Sequence, residues 1–113
     1  MSELEEKTRE FMNEIEKFKG VEITRGIGSP TLSTVNFCFP LNTELTIFMN
    51  YLKNDETKRI VEDPRANSDD SEGRIHYHAS FTNKKEAEEL VTKVRRYKIE
   101  HPELLKSTTA QTF

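Results

Sequence analysis

The 113-residue chain contains a single cysteine, Cys38, and no long apolar segment. One thiol cannot close a disulfide within the chain, and its isolation is typical of a reducing compartment. A membrane-spanning helix needs about 18 or more apolar residues, and the longest apolar-rich run, residues 35–47, is interrupted by Pro40, Asn42 and Glu44. The acidic first residues lack the apolar region of a secretory signal. We therefore expect a cytoplasmic protein with no membrane partner.

The chain also lacks an excess of positive charge. It has 17 basic and 20 acidic residues, and the net charge of −3 gives no general attraction to nucleic acid. Its one basic cluster, Lys93, Arg95, Arg96 and Lys98, is typical of the C-terminal end of a helix, where cations complement the helix dipole. A nucleic-acid partner is therefore not predicted.

Residues 2–19 have the periodicity of an amphipathic helix. Its apolar face consists of Leu4, Phe11, Met12, Ile15 and Phe18. Ser2 and Glu5 have the spacing of a capping box, and Gly20 suits the left-handed residue that ends a helix. The local signals for start, face and end therefore agree.

A second helix is predicted after Asn83, which forms a capping-box pattern with Glu86. Its apolar face consists of Ala87, Leu90, Val91, Val94 and Tyr97. The pair His101-Pro102 marks its end. Residues 1–106 are predicted to form a single α+β domain, and residues 107–113 a flexible C-terminal tail.

The segments between the helices alternate between apolar and polar residues, as half-buried strands do. Strands are predicted at residues 21–25, 31–39, 44–52 and 74–81, with turns at 26–30 and 40–43. Their apolar face consists of Val35, Phe37, Phe39, Leu45, Ile47, Met49, Tyr51, Ile75, Tyr77 and Phe81. The predicted fold is α+β, a four-stranded antiparallel sheet flanked by N- and C-terminal helices (α-β-β-β-loop-β-α), both helices on this face.

The stretch before the last predicted strand has few apolar residues. Asn54 is placed to cap a short helix through Val61, which the Asp63-Pro64 pair would stop. Because Ala66 is the one apolar residue in 65–72, a mobile acidic loop is predicted at about residues 63–73.

The second face of the predicted sheet is half polar, so burial in a core does not explain it. The residues assigned to it are Thr34, Asn36, Cys38, Thr46, Phe48, Asn50, Arg74, His76, His78 and Ser80. A partner is expected to contact the most chemically distinctive of these. This predicted binding face consists of Asn36, Phe48, Asn50, His76 and His78.

His76 and His78 lie two residues apart on a strand, so their side chains point to the same side, about 7 Å apart. Both imidazoles could bind one Zn or Mn ion if a third ligand, such as Cys38 or a loop aspartate, came near. The alternative is that the two histidines lie on a solvated face of the sheet and bind no metal. We favour that simpler interpretation and expect no cofactor.

The sequence His76-Tyr77-His78 resembles the paired-histidine motif of rolling-circle replication nucleases. That resemblance implies a metal held by the histidines and a helix tyrosine that attacks a phosphodiester, for which Tyr97 is the candidate. In this chain Tyr97 continues the apolar face of its helix, which meets the Tyr77 side of the sheet. His76 and His78 point to the other side.

No residues form a recognisable catalytic constellation, since Cys38 lies in mid-strand like an inert structural thiol. We therefore expect a non-enzymatic protein-interaction or regulatory module that forms a homodimer through a sheet face or an open strand edge. The alternative is a metal-dependent nucleic-acid-processing enzyme that uses His76 and His78 with Tyr97.

Overall fold

A computed structural model describes residues 2–25, 33–53 and 59–106 of the chain. In this part of the chain the elements are α1 (Glu3–Ile15), β1 (Glu22–Arg25), β2 (Ser33–Phe39), α2 (Thr43–Lys53), β3 (Ile60–Glu62), α3 (Pro64–Asp69), β4 (Ile75–Phe81) and α4 (Lys84–Glu100). A short 3₁₀ turn, Pro102–Leu104, follows α4. The predicted turn at 26–30, the Asn54 cap and the predicted tail at 107–113 lie outside the described residues.

The strands form one antiparallel sheet in the order β1-β2-β4-β3. The two central strands pair along their whole length, from Ser33 opposite Phe81 to Phe39 opposite Ile75. The edge strands are short, and the register of β1 shifts between Ile23 and Arg25, as at a β-bulge. The predicted α+β fold with a four-stranded antiparallel sheet is therefore confirmed.

One face of the sheet carries the core, as the alternation predicted. Val35, Phe37 and Phe39 of β2 and Tyr77, Ala79 and Phe81 of β4 are all buried there. Helices α1 and α4 pack against each other and against this face. Phe11 of α1 meets the rings of Phe37 and Phe81 edge-on, at centroid distances of 6.4 and 5.4 Å. Each such buried aromatic side chain stabilises the fold by about 1.5–3 kcal/mol.

The starts of the two long helices follow the predicted signals, but α1 ends at Ile15, four residues before the predicted end at residue 19. The Ser2 hydroxyl accepts from the Glu5 amide at 3.1 Å, and the Asn83 side chain accepts from the Glu86 amide at 3.0 Å. Gly20 has a φ of 84°, although α1 itself ends at Ile15 and turns link the two. A Cβ on Gly20 would lie 3.1 Å from Cδ of Pro40. Gly20 thus allows both the left-handed backbone and the close approach to Pro40.

The strand predicted at residues 44–52 is wrong, because this segment is helix α2. The Asn42 side chain accepts from the Leu45 amide at 3.0 Å and so caps the helix. The buried residues have helical spacing; they are Leu45, Phe48, Met49 and Leu52. Ile47, assigned to the apolar strand face, is 56% exposed. The apparent alternation arose because apolar residues at 45 and 49 fit both periods.

The predictions for residues 54–73 are also corrected within the described part of this stretch. Ile60–Glu62 is strand β3, so the predicted helix does not extend through Val61. Residues 64–69, predicted as loop, form helix α3. Asp63 accepts from the Ala66 amide at 3.1 Å and Pro64 occupies the first turn. The Asp-Pro pair therefore begins a helix, since proline is well suited to a position whose amide needs no partner.

Among the residues described, no helix is both long and apolar enough to cross a membrane.

Candidate functional site

The second face of the sheet is built by alternate residues of β2 and β4. Asn36 lies opposite His78, and Cys38 opposite His76. Further along, the hydroxyls of Thr34 and Ser80 lie 3.0 Å apart and hydrogen-bond. The structure therefore brings three of the predicted binding residues, Asn36, His76 and His78, onto one polar surface. We call these three residues and their surroundings the polar face.

Phe48 and Asn50 do not belong to this face, so their assignment to it is wrong. Phe48 lies in α2 and is fully buried, with its ring stacked on those of Phe18 and Tyr97 at 4.4 and 4.6 Å. Asn50 is exposed on the same helix. Both were misplaced because the segment is a helix, whose side chains do not alternate between two faces.

Asp70 is the residue that sequence reasoning missed. It follows α3, and its carboxylate lies 2.7 Å from Nε2 of His76 and 2.8 Å from Nε of Arg74. It also accepts from the Glu72 amide at 2.8 Å, and its side chain is only 4% exposed. The hydrogen bond from His76, aided by those from Glu72 and Arg74, lowers the pKa of Asp70 from 3.8 to about 2. Asp70 is therefore ionised at neutral pH.

Helix α3 is held against β4 where β3 ends. The Asp63 amide donates to the His76 carbonyl at 2.8 Å, and the His76 amide donates to the Asn67 side chain at 2.6 Å. These two bonds extend the pairing of β4 beyond β3. They place α3 beside His76, so the segment predicted as a mobile loop forms one wall of the polar face.

Two clefts adjoin His76, and Ala66 also lines both of them. The first, of about 350 Å³, is lined by Thr24, Asn36, Asp63, Ala66, His76 and Tyr77. The second, of about 400 Å³, is lined by Ala66, Asp69, Asp70, Ser71, Arg74 and His76. Asn36 lines the first cleft, and its Oδ1, which is shielded from solvent, has no hydrogen-bond partner among the described residues. A buried polar atom without a partner costs about 1–3 kcal/mol.

The predicted metal ligands, His76 and His78, are not arranged as in a metal centre. His76 and His78 do share a face, but Asp70 already binds Nε2 of His76. In the described ranges, no group of three or more His, Cys, Asp or Glu side chains is positioned to hold a metal ion. Tyr97 belongs to the core and stacks on His101 at 4.2 Å. It therefore lies on the opposite side of the sheet from His76.

Cys38, His76 and Asp70 follow one another across the polar face, an order that resembles a nucleophile, a base and its orienting acid. The thiol does not suit that chemistry. Cys38 is 1% exposed, and burial raises its pKa, although nearby Arg74 lowers it in part. Since the thiolate is the reactive form, Cys38 is a structural thiol.

Comparison with models of known protein families, with curated proteins and with solved structures finds no significant match to this chain.

Proposed function

We propose that the protein is a non-enzymatic interaction module that binds a protein partner through the polar face, with a second copy of the chain as the simplest partner. The observation that carries this proposal is the partly exposed polar surface that Asn36, His76 and His78 form beside a cleft of about 350 Å³. The donors and acceptors of these side chains can pair with polar groups of a partner.

The polar face is a better candidate for the contact surface than the edge strands of the sheet. The bulge in β1 and the three-residue length of β3 are features that disfavour pairing with another chain. The polar face, in contrast, offers donors and acceptors from several elements. A two-fold symmetric contact lets two copies satisfy each other's groups with the same residues.

The alternative function, a metal-dependent nucleic-acid enzyme, has no comparable support. It needs His76, His78 and Tyr97 to converge on one reacting phosphate. Tyr97 is buried between Phe48 and His101 on the core side instead. We therefore propose the interaction module alone.

Sedimentation equilibrium of the full chain tests this function. The wild type should dimerise in a concentration-dependent way, and His78→Glu should shift the equilibrium towards monomer by placing a charge in the contact. Lys85→Gln is the matched control, because it makes the same change in net charge on an exposed part of α4. A wild type that stays monomeric at millimolar concentration would contradict self-association.

A further inference from the structure

A cleft on the helical side of the sheet is separate from the polar face. It is formed by α2, the end of α4 and the 3₁₀ turn, and its volume is about 260 Å³. The residues that line it are Glu44, Ile47, Tyr97, His101, Glu103 and Leu104. We call it the Tyr97 cleft. Its walls are partly apolar and partly acidic.

Tyr97 presents an unpartnered hydroxyl to this cleft. Its side chain is 9% exposed, and the rings of Phe48 and His101 stack on it at centroid distances of 4.6 and 4.2 Å. Because these rings cover its faces, the edge that carries the hydroxyl is left to line the cleft. The hydroxyl has no hydrogen-bond partner among the described residues. It is also open to solvent, since Oδ1 of Asn36 is the one unpartnered side-chain oxygen or nitrogen of those residues that is shielded.

Carboxylates lie around this hydroxyl. Burial raises the pKa of Tyr97, and the negative charges of nearby carboxylates raise it further; they belong to Glu103, Glu100 and Glu44. Glu44 has no ion pair in the described part of the chain, and Glu103 has only His101, whose Nδ1 lies 3.4 Å from its carboxylate. No lysine or arginine of the described residues lines the cleft. Its negative charge is therefore available to a cation from outside the chain.

The complementary ligand is a cation on an apolar stem. Ile47 and Leu104 supply aliphatic surface, and Ile47 is 56% exposed. The polar groups come from three elements, since α2 provides Glu44, α4 provides Tyr97 and the 3₁₀ turn provides Glu103. An ammonium has three donors that can turn towards separate acceptors, whereas a guanidinium is a rigid planar fork that suits one bidentate acceptor. A lysine side chain therefore fits better than an arginine.

We infer that the Tyr97 cleft binds a lysine side chain of a protein partner. The ammonium donates to the Tyr97 hydroxyl and pairs with Glu44 and Glu103, while the stem lies on Ile47 and Leu104. Because both carboxylates are exposed, each ion pair contributes little and a single lysine binds weakly. Tyr97 and the polar face lie on opposite sides of the sheet, so this site is distinct from the contact surface proposed above.

The cleft is tested first with small probes. The full chain, labelled with ¹⁵N, is titrated at neutral pH with acetyl-Gly-Lys-Gly-amide and with the matching arginine and norleucine peptides. The lysine peptide should cause saturable shifts of the Glu44, Ile47, His101 and Glu103 amides, with a dissociation constant of about 1–10 mM. The arginine peptide should bind about threefold more weakly, and the norleucine peptide, which has a similar stem without the charge, about tenfold more weakly. No shifts with lysine, or equal binding of either other peptide, would overturn the inference.

Substitutions at the three polar groups then test the contact. Tyr97→Phe keeps the stacked ring and removes only the hydroxyl, so it should fold like the wild type and weaken lysine-peptide binding about three- to tenfold. Glu44→Gln and Glu103→Gln should each weaken it about two- to fivefold. Glu6→Gln, exposed on α1, is the matched control and should leave binding within about twofold. Unchanged binding by Tyr97→Phe, or an equal loss in Glu6→Gln, would contradict this site.

Discussion

The carboxylate of Asp70 lies 2.7 Å from Nε2 of His76 and so ties the segment after α3 to a central strand of the sheet. The two residues are six apart in sequence, yet they meet because β3 pairs with β4 and places α3 over the end of the polar face. This contact fixes the orientation of the His76 ring in both clefts.

The contact between Asp70 and His76 should make the stability of the fold depend on pH in the acidic range. Because the pKa of Asp70 falls from 3.8 to about 2 in the folded state, its stabilising contribution is present above pH 3.8 and is lost between there and pH 2. Asp70→Asn should therefore lower the urea midpoint at pH 7. The difference from wild type should shrink as the pH approaches 2. Asp69→Asn is the control and should follow the wild type; a difference that does not vary with pH would contradict this account.

Glu14 should be the most costly charge to remove from the interface of α1 and α4. It is 7% exposed, and it accepts from Nε of Arg95 at 3.1 Å and from Nζ of Lys98. Burial raises the pKa of Glu14, but the hydrogen bonds from Lys98 and Arg95 lower it by more. The pKa of Glu14 therefore lies below its ordinary value. Glu14→Ala should cost about 1–3 kcal/mol, less than a fully buried pair because the Arg95 side chain is 51% exposed.

Urea denaturation measures this cost, and a double-mutant cycle with Lys98→Met should give a coupling energy above about 0.5 kcal/mol. Lys17→Met is the control, since Lys17 is half exposed and lies 3.7 Å from Glu14. Additive effects of Glu14→Ala and Lys98→Met would contradict a stabilising interaction between Glu14 and Lys98.

Substitutions at two neighbouring residues of α2 test whether this segment is a helix or the predicted strand. Phe48→Ala should lower the free energy of unfolding by about 3–5 kcal/mol, because its buried ring stacks on Phe18 and Tyr97. Ile47→Ala should cost less than about 1 kcal/mol, since Ile47 is largely exposed. Chemical denaturation of both variants gives the comparison, and similar costs would favour a different placement of the segment.

Cys38 should react slowly with thiol reagents in the native protein. Its burial and raised pKa both suppress the thiolate, so we expect modification by a disulfide reagent to be about 100-fold slower than in urea. A Cys38→Ser, Ser68→Cys variant is the control, because Ser68 is exposed. Equal native rates for the two thiols would show that Cys38 is accessible.

The two long helices could be predicted because every local signal agreed. In α1 and α4 the cap, the apolar period and the end all point to a helix, and both capping side chains make their predicted bonds. The segment at 44–52 carried conflicting signals, because Leu45 and Met49 fit both the two-residue period of a strand and the spacing of a helix. The Asn42 cap and the space between Phe18 and Tyr97 decide in favour of the helix. Strand β3 has three residues, too few to show any period.

The sequence by itself determined which sides of the central strands are apolar, and therefore that His76 and His78 point away from the core and from Tyr97. That outcome depends only on the two-residue period of a strand. The tertiary structure decided what surrounds them. Asp70 lies beside His76 because β3 pairs with β4 and places α3 there. Such contacts between separate elements leave no periodic trace in the sequence.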